Sequence, residues 1–387
     1  METSRPKICV ISATPLSVYF FFTEHLRQMS QWADITLVYN KNYNAEVQPI
    51  DAPVIQKHIK IHRRVALFDD LKGLISLSYF FYRNQFDMVI TLTPKAGLLG
   101  MIAACLTKVH SRLHIFQGEV WSSMRGLSRY LFRSADRITA RLSTGVLAVS
   151  DSERQYLVDE SVVHSDMIDV IGAGSISGVD CDRFRPNKNI RVALRDHLNI
   201  SQTSIVVLFV GRITEDKGVF ELVRVFSRLA GIRSDTFLLI VGPDENNLKD
   251  QLQGLVGVEF VDRLKFIGFT REPEKYMAAS DILCLPSYRE GFGSVALEAA
   301  SCQLPVVASD IHGLQDAVSH EETGLLVPVG NENALFNALS CLTVSPDLRE
   351  AYGRHGRSRV LAQFQAKNVI TGYVNYFRKS LIVRENC

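Results

Sequence analysis

Short apolar runs alternate with amphipathic stretches along nearly the whole chain. Lys7–Ser12, Ile35–Tyr39, Asp87–Leu92, Leu113–Phe116 and Val146–Val149 read as buried strands, several of them followed by a turn signal. Between them Tyr19–Met29, Asp69–Arg83 and Pro94–Leu106 carry helical patterning, and Thr93 followed by Pro94 predicts a capped start for the last of these. The pattern changes over Asp180–Asn199, where Pro186, Asn187 and Asn189 interrupt regularity and charge rises. It then restarts. Ile205–Val210, Thr236–Val241, Leu264–Ile267, Ile282–Leu285 and Pro305–Ser309 read as strands, with Gly324–Val327 a further turn-to-strand piece. Gly218–Leu229, Glu272–Ala279 and Ser294–Ser301 read as helices, and Asp347–Tyr376 is helical in pattern.

Strand–helix alternation predicts mostly parallel sheets covered on both faces. Two such series in 387 residues predict two Rossmann-like, doubly wound α/β domains, because one core rarely grows that large. The expected division is residues 1–185, residues 186–365, and a C-terminal helix over 366–387 that crosses back to the first domain.

Composition narrows the class. Apolar residues make up 47% and charged residues 22%, which excludes wholesale disorder. A formal net charge of +2 gives no field for nucleic-acid binding. The cysteines, Cys9, Cys105, Cys181, Cys284, Cys302, Cys341 and Cys387, form no CxxC pair and read as buried free thiols in a reducing compartment. The start lacks a basic segment followed by an apolar core, and the longest near-apolar run, Leu74–Tyr82, is too short to span a bilayer. A cytoplasmic protein is expected, with contact to a membrane from that side.

Two segments carry candidate chemistry, and each follows a strand, where open α/β sheets bind ligands. In the first, Gly211-Arg212 and Lys217-Gly218 set a forked guanidinium and an ammonium five residues apart beside a helix start. With exposed helix N–H groups they would hold a diphosphate; the bland alternative is two solvated cations beside Glu215 and Asp216. The second is Ser287-Tyr288-Arg289-Glu290-Gly291-Phe292-Gly293-Ser294-Val295-Ala296-Leu297-Glu298. Its glycines allow close backbone approach, and it feeds a helix N-terminus that favours phosphate. Glu290 sits in the loop within reach of sugar hydroxyls. Glu298 lies among Ala296, Leu297, Ala299 and Ala300, so it reads as a buried polar group rather than a solvated one.

The spacing of Glu290 and Glu298, joined to Gly211-Arg212 and Lys217, resembles the retaining GT-B glycosyltransferases of family 4. The resemblance runs through nearly the whole chain and is strongest in the second half. It implies two domains facing each other across a cleft, a nucleotide-sugar donor in the second and an acceptor in the first. It implies that Arg212 and Lys217 neutralise the diphosphate, that Glu290 with backbone N–H groups from Gly291, Phe292, Gly293 and Ser294 orients the donor sugar, and that Glu298 binds the ribose hydroxyls. Leu325-Leu326-Val327-Pro328 resembles the stretch that closes this pocket. Thr93–Gly100, Phe116-Gln117-Gly118-Glu119-Val120-Trp121 and Gly174–Asp180 resemble a narrower set, the bacterial enzymes of O-antigen and capsule synthesis. That implies a polyprenyl-diphosphate-linked or oligosaccharide acceptor. UDP is the expected nucleotide on family frequency and GDP the alternative. Two departures stand out: Gln117 replaces a common histidine, and Ser12-Ala13-Thr14-Pro15 replaces a glycine-rich turn.

Retention is implied, with the acceptor attacking from the leaving-group face. Glu290 as nucleophile is the alternative to Glu290 as orienting group. Asp180-Cys181-Asp182 looks like a metal-binding Asp-x-Asp but sits far from the donor segments, and the cations supply the neutralisation a metal would, so no cofactor is expected. Arg125, Arg129, Arg133, Arg137 and Arg141 recur every four residues and, with the basic run Lys57–Arg64, suggest contact with an anionic membrane; the alternative is a solvated face paired with Asp136. A nucleotide-sugar epimerase, a sugar phosphorylase and a non-catalytic assembly partner are the rival functions.

Overall fold

Every strand pairs parallel to its neighbours in one of two sheets, in the computed structural model, which describes residues 5–41, 50–62 and 66–382. The first sheet contains β1 (Lys7–Ser12), β2 (Asp34–Tyr39), β3 (Ile55–His58), β4 (Met88–Thr91), β5 (Ser111–Phe116), β6 (Gly145–Ala148) and β7 (Ile168–Val170), in the order β3-β2-β1-β4-β5-β6-β7. The second contains β8 (Ile205–Val210), β9 (Thr236–Val241), β10 (Leu264–Gly268), β11 (Ile282–Leu285), β12 (Val306–Ser309) and β13 (Gly324–Val327), in the order β10-β9-β8-β11-β12-β13. Both orders run outward from the first strand and then reverse. The switch therefore falls between β1 and β4 in one sheet and between β8 and β11 in the other. A crevice opens outside the carboxyl ends of the strands at such a point.

The chain divides into two compact units, Met1–Ser177 with Lys367–Cys387, and Gly178–Ala366. Residues 178–185 belong to the second unit because their partners lie there. Val179 bridges to Gln365, Arg183 pairs with Glu274 at 2.9 Å, and the Ser301 hydroxyl donates to the Phe184 carbonyl. The helix Ala366–Ile382 serves the first unit. Its Tyr373 and Phe377 are fully buried against His25 and Phe22, and Tyr376 donates to Asp169 at 3.0 Å. His25 and His114 are likewise fully buried, the latter against Thr91 at 2.7 Å.

Several local expectations need correction. Tyr19–Met29 is two helices, Pro15–Phe21 and Thr23–Met29, and the tail is two, Pro346–Gln363 and Ala366–Ile382. The stretch after Asp180 is irregular only as far as Asn187. Asn187 caps the helix Lys188–His197 by accepting the Ile190 N–H at 3.1 Å. Thr93 does not cap Pro94–Leu106 with its side chain; its hydroxyl accepts the Ala13 N–H at 3.0 Å, joining the turns after β1 and β4. Cys105 and Cys341 are exposed, whereas Cys9, Cys284 and Cys302 are buried; Cys387 lies outside the described residues. Asp180 uses its carboxylate to accept N–H groups of Asp182 and Arg183, both at 3.1 Å, so it shapes a turn.

The arginine band runs from Arg125, the residue before the helix Gly126–Leu142, along that helix, and three of its members are committed inside the first unit. Arg129 meets Glu160 at 2.6 Å, Arg133 meets the other oxygen of Glu160, and Arg137 donates to the carbonyls of Glu160 and Ser161. Asp136 pairs with none of them. It is buried and accepts from Trp121 Nε1 at 2.7 Å. Burial, opposed by that hydrogen bond, pushes its carboxyl up to about 7. Arg63 and Arg64 lie outside the described residues. No helix among the described residues is long and apolar enough to cross a membrane.

Candidate active site

The two chemistry-bearing segments are the loops that leave β8 and β11, the strands flanking the switch of the second sheet. Their closeness follows from strand order. β8 is an apolar run of six and β11 one of four, buried on both sides, and they pair directly at Val207 and Leu208. Whatever follows each must emerge at the same edge.

The loops are stitched together. The Tyr288 N–H donates to the Asp216 carbonyl at 2.9 Å. Lys217 Nζ meets Glu290 Oε1 at 2.7 Å, with the two side chains only 15% and 17% exposed. The Ser287 hydroxyl donates to the same oxygen at 2.8 Å. Gly218 has φ +67°, and a Cβ there would lie 2.1 Å from the Pro286 carbonyl oxygen, so the chain can pass only without a side chain.

Arg212 is placed differently from Lys217. It follows Gly211, whose N–H donates to the Val241 carbonyl at 2.9 Å, and its guanidinium reaches across to Glu245 at 2.9 Å in the loop after β9. Arg289 adds a third cation, 3.9 Å from Asp216. Burial works against charge on Asp216, but the Thr214 hydroxyl and then Lys217, Arg212 and Arg289 outweigh it and hold the carboxyl below its ordinary value. One carboxylate thus sits in the field of three cations. Arg289 and Asp216 are the members of this cluster that spacing did not single out; their adjacency to Glu290 and Lys217 was the available signal.

The second loop ends in a helix start. Gly293 caps Ser294–Ser301, and Ala296 is the first residue whose N–H returns to the turn, at 2.7 Å from the Gly293 carbonyl. No protein acceptor pairs with the backbone N–H groups of Gly291, Phe292, Gly293, Ser294 or Val295 among the described residues. They form an open set of donors at a positive helix end, suited to an anion. Phe292 is not part of that surface through its side chain, which is buried against Phe364 at 5.9 Å. Gly313, in the short helix His312–Gln315, lies so close to the Glu290 carbonyl that a Cβ would sit 2.1 Å from it. β13 carries Leu325-Leu326-Val327 along the edge of the same sheet, and Tyr288 Oη lies 3.2 Å from a Cβ position at Gly330 just beyond it.

Glu298 lies one turn into the helix, largely buried, and its carboxylate makes no hydrogen bond to the protein among the described residues. Burial, only partly offset by Arg183, pushes its pKa up to about 7. A carboxylate so placed has unmet acceptor capacity.

The first unit gathers polar groups at the matching end of its own sheet. Gln117, just past β5, donates its amide to the Leu92 carbonyl at 2.8 Å. Glu153 is fully buried and accepts the N–H groups of Gly118 and, at 2.8 Å, Val149; Ser150 caps its helix at 3.1 Å. Burial and then the neighbouring buried Glu119 drive the Glu153 carboxyl well upward. Glu153→Ala would strand two backbone donors. It is expected to lower the first unit's stability by about 2 kcal/mol, read as an earlier thermal transition with the second unit's transition unmoved.

Comparison with known proteins adds the family context. Residues 191–359 match the family Glycosyl transferases group 1, and residues 24–174 match the Glycosyl transferase 4-like domain. The capsular polysaccharide biosynthesis glycosyltransferase CapM of Staphylococcus aureus is 26% identical over 86% of this chain and 89% of its own length. The Escherichia coli UDP-Gal:alpha-D-GlcNAc-diphosphoundecaprenol alpha-1,3-galactosyltransferase is 28% identical over 73% of this chain and 72% of its own. Among solved structures, Anabaena HepE in complex with UDP-glucose superposes with a TM-score of 0.79 at 18% identity, covering 97% of this chain and 99% of that one. That likeness establishes the fold.

Proposed function

The chain belongs to the glycosyltransferases of GT-B fold and family 4 type, and from that premise we infer that it moves the sugar of a UDP-sugar onto a lipid-linked or saccharide acceptor in bacterial surface-polysaccharide synthesis. The observation that carries the inference is the junction of the β8 and β11 loops, where an ammonium, two guanidiniums and a run of open N–H groups converge. That is the donor set a departing diphosphate requires.

In this reading the bond from the anomeric carbon to the phosphate oxygen breaks, and its electron pair stays with the diphosphate. The acceptor oxygen closes on the anomeric carbon from the same face, and its proton passes to the departing phosphate oxygen. Lys217 and Arg212 hold the growing negative charge, with N–H groups from Gly291 to Ser294. Glu290 orients the sugar. Its Oε1 is engaged by Lys217 and Ser287, which leaves a poor nucleophile and a second oxygen for sugar hydroxyls. No step calls on a metal. The reaction is assigned to the cytoplasmic side of the membrane; the name of the E. coli relative, which specifies a diphosphoundecaprenol-linked acceptor, supports a lipid-linked acceptor. Mass-spectrometric product analysis with a panel of nucleotide sugars and polyprenyl-diphosphate-linked acceptors tests the reading; turnover with GDP-sugars alone, or epimerised donor without transfer, overturns it.

Glu298 gives the reading a pH signature. With its pKa near 7, the group is neutral at pH 6 and charged at pH 8, and ribose hydroxyls donate best to the charged form. The donor KM is expected to fall by about tenfold between pH 6 and pH 8, and Glu298→Gln to flatten that dependence. The stability sign is opposite. An acid raised in the fold costs nothing below its unfolded pKa, begins to cost above it, and costs fully once pH passes about 7. Glu298→Gln should therefore raise the thermal midpoint of the ligand-free protein at pH 8 while weakening UDP binding.

A further inference from the structure

The helix Leu67–Asn84 crosses over between β3 and β4 and is apolar on two faces. Gly73, Leu77 and Phe81 point inward; Leu77 and Phe81 join the first unit's core. The outward face should be polar. Instead it presents Leu67, Phe68, Leu71, Ile75, Tyr79 and Tyr82, each 55% to 81% exposed. Steps of four advance about 40° around a helix, so Leu67, Leu71, Ile75 and Tyr79 form a slanting stripe about 18 Å long. A contiguous stripe of that kind marks an interaction surface.

Charge decides what it meets. Both acids of the helix are neutralised within the protein: Asp69 by Lys60 at 3.4 Å and His62 at 2.9 Å, Asp70 by Lys95 at 2.6 Å. Lys72 and Arg83 border the stripe with no acid in ion-pair reach among the described residues, and Lys72 Nζ lies over the Phe68 ring at 4.4 Å. A symmetric contact between two copies would set these cations against themselves. An apolar stripe rimmed by cations and free of unpaired acid matches an anionic lipid surface.

We propose that the outer face of Leu67–Asn84 docks on an anionic bilayer, with the stripe among the acyl chains nearest the headgroups and Lys72 and Arg83 against lipid phosphates. This surface replaces the arginine band, of which Arg129, Arg133 and Arg137 are held by Glu160 and Ser161. The Lys95–Asp70 pair joins the stripe's first turn to the helix that follows β4, at the switch point of the first sheet. The proposal deepens the lipid-linked acceptor reading: it brings the acceptor side of the first unit to the membrane that would hold such an acceptor.

The test is flotation of the full chain with vesicles of phosphatidylcholine alone and of phosphatidylcholine with phosphatidylglycerol. Binding to the anionic vesicles is expected, weakening as salt rises. Leu71→Ser, Ile75→Ser and Tyr79→Ser combined should lower the partition coefficient at least about tenfold, and Lys72→Glu with Arg83→Glu by about tenfold or more. In an otherwise unchanged chain, Ile75→Trp should blue-shift its added emission on anionic vesicles, which keeps the test independent of the triple variant's fold. Unchanged flotation of the triple variant, or a stripe that reports no lipid and instead alters sedimentation mass, overturns the proposal. If the stripe binds vesicles while transfer occurs only to soluble saccharides, the surface stands and the lipid-linked reading falls.

Discussion

Lys217→Ala is expected to lower turnover by between about thirtyfold and about a thousandfold, which corresponds to about 2–4 kcal/mol of lost transition-state stabilisation. The ammonium is mostly shielded from water and lies 2.7 Å from Glu290, so it acts in a medium where a charge counts for more than at the surface. Its removal also leaves the Glu290 carboxylate repelling the diphosphate. The two side chains are in contact, so Lys217→Ala with Glu290→Gln should fall well short of the sum of the single effects. Lys217→Arg is not expected to rescue, because a planar fork cannot occupy the point position between Glu290 and a phosphate. Arg212→Ala should be milder. Its side chain is 35% exposed and already answered by Glu245, so screening weakens its contribution. Single-turnover rates at saturating donor separate the cases. Wild-type rates in Lys217→Ala, with donor still bound, would remove the electrostatic account of the leaving group.

The signals that were legible in sequence are those written in consecutive residues. Arg212, Lys217, Glu290 and Glu298 each follow a strand or lie just inside a helix, and strand order then places the two loops side by side. Pairings between distant residues were not legible. The arginine spacing of Arg129, Arg133 and Arg137 looked like a free basic face, but their partner Glu160 lies a helix and a strand further on, and no periodicity reports it. Thr93 had the sequence of a side-chain cap and spends its hydroxyl on Ala13, 80 residues earlier. The short strands Ile55–His58 and Ile168–Val170 escaped because edge strands carry little apolar signal; the four residues of the first are all exposed. The outward stripe on Leu67–Asn84 was hidden for the converse reason. A helix apolar on two faces reads as an ordinary buried one until its surroundings are known.

Gly218→Ala should damage both stability and turnover, because one added carbon drives apart the two loops that carry Lys217 and Glu290. Its φ of +67° alone costs an L-residue about 1 kcal/mol. The larger cost is steric. The new Cβ would lie 2.1 Å from the Pro286 carbonyl oxygen, well inside contact distance, and the oxygen belongs to backbone that has just left β11. Relief requires the β8 and β11 loops to separate by about 1 Å, an overpacking cost of about 1–3 kcal/mol. That displacement falls on the residue next to Lys217, so the 2.7 Å ion pair with Glu290 cannot be kept. A shift of this size in a positioning contact lowers rates by about a hundredfold. Gly268→Ala isolates the two causes. Gly268 has φ +78° in the same unit and nothing within 4 Å of its Cβ position, so it carries the conformational cost without the clash. The expected order in thermal midpoint is wild type, then Gly268→Ala, then Gly218→Ala, with turnover falling sharply only in the last. Equal midpoints and equal rates for the two variants would mean that the contact between Gly218 and Pro286 does not set the geometry on which Lys217 and Glu290 depend.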